Sequence, residues 1–297
     1  MPEMKGILIG AHLSVAKGLP AAAELAIELG LDLFQFFTRN PRGGTARRLT
    51  EKELEKWERY RAEGKLAPPV AHLPYTVNLA ADGGRALEFA RSVLKEDLAR
   101  AGLIGADYVV AHPGHHKGEV APALQRIIEL LKGVEEVYAP GPPFLLLETM
   151  AGQGKEIGGE LEELRVIFEG LGWPPGLGIC LDTAHLFEAG WDLRQQDALE
   201  ILAENLEQMF GRERIKVLHL NDSRTSLGSR RDRHEKIGKG EIGEKGITAV
   251  VTHPFFRRLP MVLETTVSDY REYGEEAAYV RQLAIKKSPD CQQKQGI

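Results

Sequence analysis

The sequence is short of cysteine, of long apolar runs and of excess positive charge. Two cysteines in 297 residues cannot form a disulfide framework, which favours a reducing compartment. No stretch reaches the roughly 18 to 20 apolar residues that a membrane span needs. The formal net charge of -5 argues at first sight against a nucleic-acid partner, because phosphate binding usually requires an excess of Lys and Arg. We therefore expect a cytoplasmic protein without membrane contact.

Short β-branched or leucine-rich runs alternate with longer segments of helical period, which predicts parallel strands joined by crossover helices. The predicted strands are Gly6 to Ala11, Asp32 to Phe37, Pro69 to His72, Asp107 to His112, Phe144 to Glu148, Leu177 to Asp182, Ile215 to Leu220 and Met261 to Glu264. Eight such units match a (β/α)8 TIM barrel forming a single α/β domain over residues 1–285, with a doubly wound open sheet as the alternative. Residues 286–297 are polar and are expected to form a disordered tail.

Six consecutive predicted strands end in a side chain of a type that binds metals. These residues are His72, His112, Glu148, Asp182, His219 and Glu264. In a barrel the carboxyl ends of the strands converge on one face, so these side chains would share a pocket. Each one alone is more often structural or a helix cap. All six together would crowd carboxylates at a heavy electrostatic cost that divalent cations would remove.

Three further residues extend this set. His185 lies three positions after Asp182, and Asp232 and His234 lie two apart, which points both side chains the same way in extended backbone. The nine residues could serve up to three ions with open positions for water or substrate. Their mixed nitrogen and oxygen donors favour zinc or manganese over calcium.

Basic residues cluster after the second and seventh predicted strands, on the same side as the predicted metal site. The two clusters are Arg39, Arg42, Arg47 and Arg48, and Arg224, Arg230, Arg231, Arg233, Lys236 and Lys239. A charge run is more commonly just a solvated face. Its coincidence with a carboxylate-rich pocket favours an anionic substrate, to which Tyr75 and Asn78 could add stacking and polar contacts.

Read in order, the motifs resemble the endonuclease IV family of apurinic/apyrimidinic DNA-repair nucleases. The matching segments include AHLS (11–14), FTRN (37–40), HLPYTVNLA (72–80), HPG (112–114), ETMAGQG (148–154), CLDTAHLFEAG (180–190), HLNDS (219–223), DRHEKIGKGEIG (232–243) and LET (263–265). The resemblance implies a (β/α)8 barrel with three Zn2+ per chain, Mn2+ being an alternative at one or more sites. By motif position, one ion would be held by His72, His112 and Glu148, a second by Glu148, Asp182, His219 and Glu264, and the third by His185, Asp232 and His234.

The resemblance also implies an activity. The protein would hydrolyse the phosphodiester 5' to an abasic site in double-stranded DNA, leave a 3'-hydroxyl, and remove blocking groups from 3' ends during base excision repair. Glu148 and Glu264 would orient the attacking hydroxide. Arg42 and Tyr75 are the candidates for a wedge that enters the duplex, and the DNA contacts expected after the seventh strand are Arg224, Arg230 and Arg233. We expect a monomer, because one barrel face suffices for excision.

Two other functions fit part of the pattern. A sugar isomerase or epimerase of a related barrel group would need one divalent ion on Glu148, Asp182, His219 and Glu264, which leaves the other five donors unexplained. A non-catalytic binder of damaged DNA would use the metals structurally. For the nuclease, three divalent ions add about six positive charges and offset the net charge of -5. The metal-free protein should then bind DNA more weakly.

Overall fold

The predicted strands close into a parallel barrel in the computed structural model, which describes residues 6–42, 44, 46–138 and 141–286. The strands in chain order are β1 Ile9–His12, β2 Leu33–Phe37, β3 Val70–His72, β4 Tyr108–Ala111, β5 Phe144–Glu148, β6 Leu177–Asp182, β7 Ile215–His219, β8 Asp222–Ser223, β9 His234–Glu235 and β10 Met261–Leu263. Strands β1 to β7 and β10 form the barrel, and β10 closes it against β1. The TIM-barrel prediction is confirmed, and closure excludes the open sheet. Strands β8 and β9 form a separate antiparallel pair.

Helices lie outside the barrel and bury their apolar sides. They are α1 Leu19–Glu28, α2 Glu51–Ala62, α3 Gly84–Leu103, α4 Val120–Lys132, α5 Leu161–Leu171, α6 Thr183–Ala189, α7 Gln196–Phe210, α8 Gly243–Thr252 and α9 Arg271–Lys286, with short 3-10 turns at Glu135–Val137, Arg212–Arg214 and Phe256–Arg258. Helix α4 shows the pattern clearly, since Leu124, Ile127, Ile128 and Leu131 are buried at the spacing of one helical face.

The predicted boundary between barrel and tail falls at the end of α9, which extends to Lys286. The rest of the predicted tail, residues 287–297, lies outside the described residues. Among the described helices, none combines the length and the apolar character that crossing a membrane would require.

The barrel interior is built in layers. Seven strands each contribute one buried apolar side chain to a single layer: Leu33, Val70, Val110, Leu146, Cys180, Val217 and Val262. Side chains alternate between the two faces of a strand, so the residue two positions later faces inward again, nearer the carboxyl end. That next layer consists of Gln35, His72, His112, Glu148, Asp182, His219 and Glu264, and β1 adds His12 two residues after Gly10. The strand period therefore places a polar layer directly over an apolar one.

Candidate metal centre

The polar layer brings together all six residues predicted from the strand ends. The first group of donors consists of His72, His112 and Glu148, whose ligand atoms lie within 4.8 Å of one another. Each histidine places Nε2 3.2 Å from Oε2 of Glu148. The Nδ1 atom of His72 lies 2.6 Å from the Leu73 carbonyl, which accepts its proton and leaves Nε2 to face Glu148.

The second group consists of Glu148, Asp182, His219 and Glu264, again within 4.8 Å. The Nδ1 atom of His219 lies 2.9 Å from Oε1 of Glu148 and 3.1 Å from Oε2 of Glu264. Glu148 therefore faces the first group with Oε2 and the second with Oε1. It is 1% exposed and lies at the boundary of the two groups.

The third group departs in one respect from the predicted set of His185, Asp232 and His234. Oδ1 of Asp232 does lie near both rings, 3.4 Å from Nε2 of His185 and 3.5 Å from Nε2 of His234. The compact set within 4.8 Å, however, joins these two histidines to Asp182. Asp182 also caps α6, since its Oδ1 accepts from the backbone N–H of His185 at 2.9 Å. It thus adjoins two groups, as Glu148 does.

Glu188 and Asp222 shape the long loop that carries Asp232 and His234. The buried Oε1 of Glu188 accepts from Oγ of Ser223 at 2.7 Å and from the backbone N–H of Arg233 at 3.2 Å. The carboxylate of Asp222 accepts from the backbone N–H groups of residues 240, 242 and 243 at 3.0–3.2 Å. Burial raises the pKa of Glu188 to about 7. These contacts return the loop to the barrel mouth.

The hydrogen bonding of the donor groups is compatible with bound divalent cations. The Nε2 atoms of His185 and His234 are buried and have no hydrogen-bond partner among the described residues. A buried polar atom left unpaired is costly, and a ring nitrogen that faces neighbouring carboxylates is the arrangement that a cation would satisfy. The donor types, imidazole nitrogen and carboxylate oxygen without thiolate, suit zinc or manganese.

The electrostatics agree with this fit. Burial would raise the pKa of Glu148, yet the adjacent His219 and His112 hold it well below its ordinary value. Burial would lower the pKa of His185, but Asp182 and Asp232 hold it well above its ordinary value. Burial is likewise outweighed in Asp232, whose pKa falls to about 2 beside His185. His185 thus holds a proton that balances the carboxylates beside it, and a cation binding here would displace that proton.

Three residues that contact the donors were not among those predicted from the sequence. His12 and Gln35 complete the polar layer, and both contact Oε1 of Glu264, at 3.2 Å and 2.6 Å. Asn221 donates to Oδ2 of Asp182 at 2.6 Å and accepts from the backbone N–H of Glu264 at 2.8 Å. Two signals were available in the sequence. His12 and Gln35 each lie two positions after an inward-facing residue, and Asn221 comes shortly after the donor-bearing strand β7.

One of the predicted DNA contacts, Tyr75, lies beside the metal donors at the carboxyl end of β3. Tyr75 is 53% exposed, and its ring packs edge-on against Phe37 with centroids 6.2 Å apart. Tyr75 and Phe37 line a cleft of about 450 Å³ that also contains donors of all three groups. Arg42 is exposed on the loop after β2.

The other predicted DNA contacts lie on the loop after β7 and are exposed. Arg224 pairs with Glu235 at 3.0 Å, and Arg230 pairs with Glu160. Arg233 directly follows Asp232 in the sequence, so the side chain of Arg233 starts from the same backbone segment that carries a metal donor. These pairs are exposed, and exposed ion pairs contribute little energy, so an approaching phosphate could replace the carboxylates.

Comparison with known proteins identifies the family. A family model described as a xylose isomerase-like TIM barrel matches residues 23–286. The chain is 52% identical over 275 residues to "Probable endonuclease 4" of Moorella thermoacetica, covering 93% of this chain and 98% of that protein. The chain belongs to the endonuclease IV family. The crystal structure of endonuclease IV from Thermus thermophilus superposes with a TM-score of 0.81 at 36% identity, covering 94% of this chain and 99% of that one.

Membership of the endonuclease IV family confirms the predicted enzyme class, a nuclease and hence a hydrolase of DNA repair. The barrel is also shared with sugar-converting enzymes. A D-tagatose 3-epimerase-like protein superposes with a TM-score of 0.71 but only 18% identity, covering 95% of this chain and 99% of that one. At that identity the likeness shows the fold alone.

Proposed function

We propose that this protein is a zinc-dependent endonuclease that hydrolyses the phosphodiester 5' to an abasic site in double-stranded DNA, leaving a 3'-hydroxyl, and that it removes 3'-blocking groups in base excision repair. The observation that carries the proposal is the set of three adjoining donor groups at the carboxyl end of the barrel. A site for one ion would need only one of them. The family relationship supports the same activity.

The donor groups would hold three Zn2+ ions, with Mn2+ as the alternative at one or more sites. One ion would lie among His72, His112 and Glu148, and a second among Glu148, Asp182, His219 and Glu264. The third would lie among His185, Asp232 and His234, with Asp182 close enough to contribute. Bound divalent cations would supply Lewis acidity that makes water nucleophilic near neutral pH and offsets charge on the phosphate.

The exposure of the donor side chains indicates the direction from which a phosphodiester would approach the site. Glu148 is buried, whereas the side chains of His112, Asp232 and Glu264 are 23%, 33% and 16% exposed. A phosphodiester therefore approaches from the side of these three residues. Glu264 lies at the exposed edge and Glu148 at the buried centre, so the two carboxylates would orient the attacking hydroxide between them. No side-chain nucleophile is required.

DNA recognition would use exposed side chains on both sides of this cleft. Tyr75 projects from one side and would stack against, or wedge between, bases next to the lesion, with Arg42 beside it. Arg224, Arg230 and Arg233 would contact phosphates from the other side. Such contacts place positive charge on the DNA-facing surface although the whole chain carries a net charge of -5.

A duplex with one stable abasic analogue tests this function. The zinc-loaded protein should incise it 5' to the analogue and leave a 3'-hydroxyl, and absence of incision would refute the proposal. Glu264→Gln should abolish cleavage while keeping DNA binding, because the amide keeps the shape of the side chain without its charge. Glu204→Gln, on the exposed side of α7, is the matched control and should cleave normally.

Metal content separates the alternatives. More than one equivalent per chain is expected for the nuclease, whereas a single Mn2+ or Co2+ would indicate a sugar epimerase. Binding of the analogue without incision by the fully loaded protein would indicate a non-catalytic binder. We also propose a cytoplasmic monomer, which the buried free thiol of Cys180 and the single active face of the barrel support.

A further inference from the structure

The polar layer of the barrel contains one residue that is neither a metal ligand type nor charged. Gln35 lies on β2, is 0% exposed, and has its amide between two residues of the second donor group. Its Nε2 lies 2.6 Å from Oε1 of Glu264, and its Oε1 lies 2.9 Å from Nε2 of His219. A buried amide that joins two candidate ligands is well placed to orient both.

The orientation of this amide follows from its neighbours. A carboxylate oxygen only accepts hydrogen bonds, so the amide nitrogen of Gln35 must face Glu264. The second N–H of the amide is directed at Nδ1 of His12, 3.0 Å away. The amide oxygen is consequently left to face His219, and an oxygen can only accept.

The amide oxygen in turn fixes the state of His219. Because it can only accept, Nε2 of His219 must carry the proton that fills the 2.9 Å contact. When the ring is neutral, as it must be to bind a cation, its lone pair therefore lies on Nδ1. That atom lies among the carboxylates, 2.9 Å from Glu148 and 3.1 Å from Glu264.

We propose that Gln35 is a positioning residue that makes Nδ1 the metal-binding atom of His219 and holds Glu264 in its ligand orientation. The inference rests on the proposed metal-dependent function. A histidine that binds a metal through one ring nitrogen usually donates a hydrogen bond from the other, and loss of that hydrogen-bond partner generally lowers metal affinity by about 10- to 100-fold. In this chain one amide serves two ligands, so its loss should weaken the second group selectively.

The holoprotein with Gln35→Met tests this role. Methionine fills a similar volume but can neither donate to Glu264 nor accept from His219. We expect one class of zinc to exchange into a competing chelator about 10- to 100-fold more readily, and kcat to fall while the Kd for the abasic duplex stays unchanged. Zinc retention equal to wild type would overturn the proposal. Gln208→Met, on the exposed side of α7, is the matched control.

A spectroscopic measurement keeps the test independent of how well the variant folds. Long-range 15N–1H NMR of the histidine rings in zinc-loaded wild-type protein should show His219 protonated at Nε2 and zinc-shifted at Nδ1. The reverse assignment would overturn the proposal without any mutation. Incision by the wild-type protein is assayed separately. A wild type that cleaves, combined with the wrong tautomer, would therefore refute the role of Gln35 and leave the proposed function intact.

Discussion

Glu188 makes the protein less stable as pH rises from about 4.5 to about 7. Its carboxyl is completely buried, and burial raises its pKa from 4.5 to about 7. In the unfolded chain the group ionises near 4.5, so between these values folding must retain a proton that the unfolded state releases. Stability is therefore fully present below pH 4.5 and is lost as pH rises towards 7, after which the loss stays constant.

The size of the effect follows from the same two values. The loss is about 1.4 kcal/mol at pH 5.5 and about 3.4 kcal/mol at pH 8.5, a difference of about 2 kcal/mol. Glu188→Gln removes the ionisation and keeps the shape. The variant should therefore gain about 2 kcal/mol relative to wild type between these two pH values.

Urea unfolding at both pH values measures this gain. Chelator-treated protein is used, because bound cations near His185 would lower the pKa of Glu188. The exposed Glu204→Gln should track wild type at both pH values. If the stability difference between Glu188→Gln and wild type is the same at pH 5.5 and pH 8.5, the buried carboxyl of Glu188 is not the source of the pH dependence.

Three other perturbations have defined outcomes. Asp97→Asn should cost about 3–5 kcal/mol in urea unfolding, because it leaves buried Arg39 without the carboxylate that it contacts at 2.5 and 2.9 Å; an unchanged midpoint would contradict this. Gly240→Ala should lower zinc retention, because the added Cβ would lie 2.2 Å from the Ser223 carbonyl oxygen and push the metal-binding loop outward. Equilibrium dialysis measures zinc retention, and retention equal to wild type would show that this close packing does not position the loop. Tyr75→Ala should weaken abasic-duplex binding by about 1–3 kcal/mol in fluorescence anisotropy while leaving the melting temperature unchanged, and equal affinity would exclude stacking.

The barrel and six of the site residues were predictable because both follow from one short-range rule. Inward-facing positions recur every second residue, so a donor such as Glu148 or His219 stands out at the end of an otherwise apolar strand. The same rule places Gln35 two residues beyond the inward-facing Leu33. In the sequence, however, Gln35 is flanked by phenylalanines, and its spacing from Leu33 alone does not distinguish it from an isolated polar residue in a core strand.

Other features depend on how distant segments meet, which a strand pattern does not encode. The third donor group includes Asp182 because the loop after β7 returns to within 3.7 Å of it at His234. The length and charge of that loop predicted a function. Its path depends on Glu188 and Asp222, whose hydrogen bonds reach residues up to 45 positions away.

Glu148 divides its two oxygens between two donor groups, and this has a consequence for how the centre fills. An ion in either group would fix the rotation of the carboxylate and so prepare the other group, which lowers the entropy lost in the second event. Filling should therefore be cooperative, with chains carrying neither or both of these ions outnumbering those that carry one. The shared side chain turns two neighbouring sites into one unit of assembly.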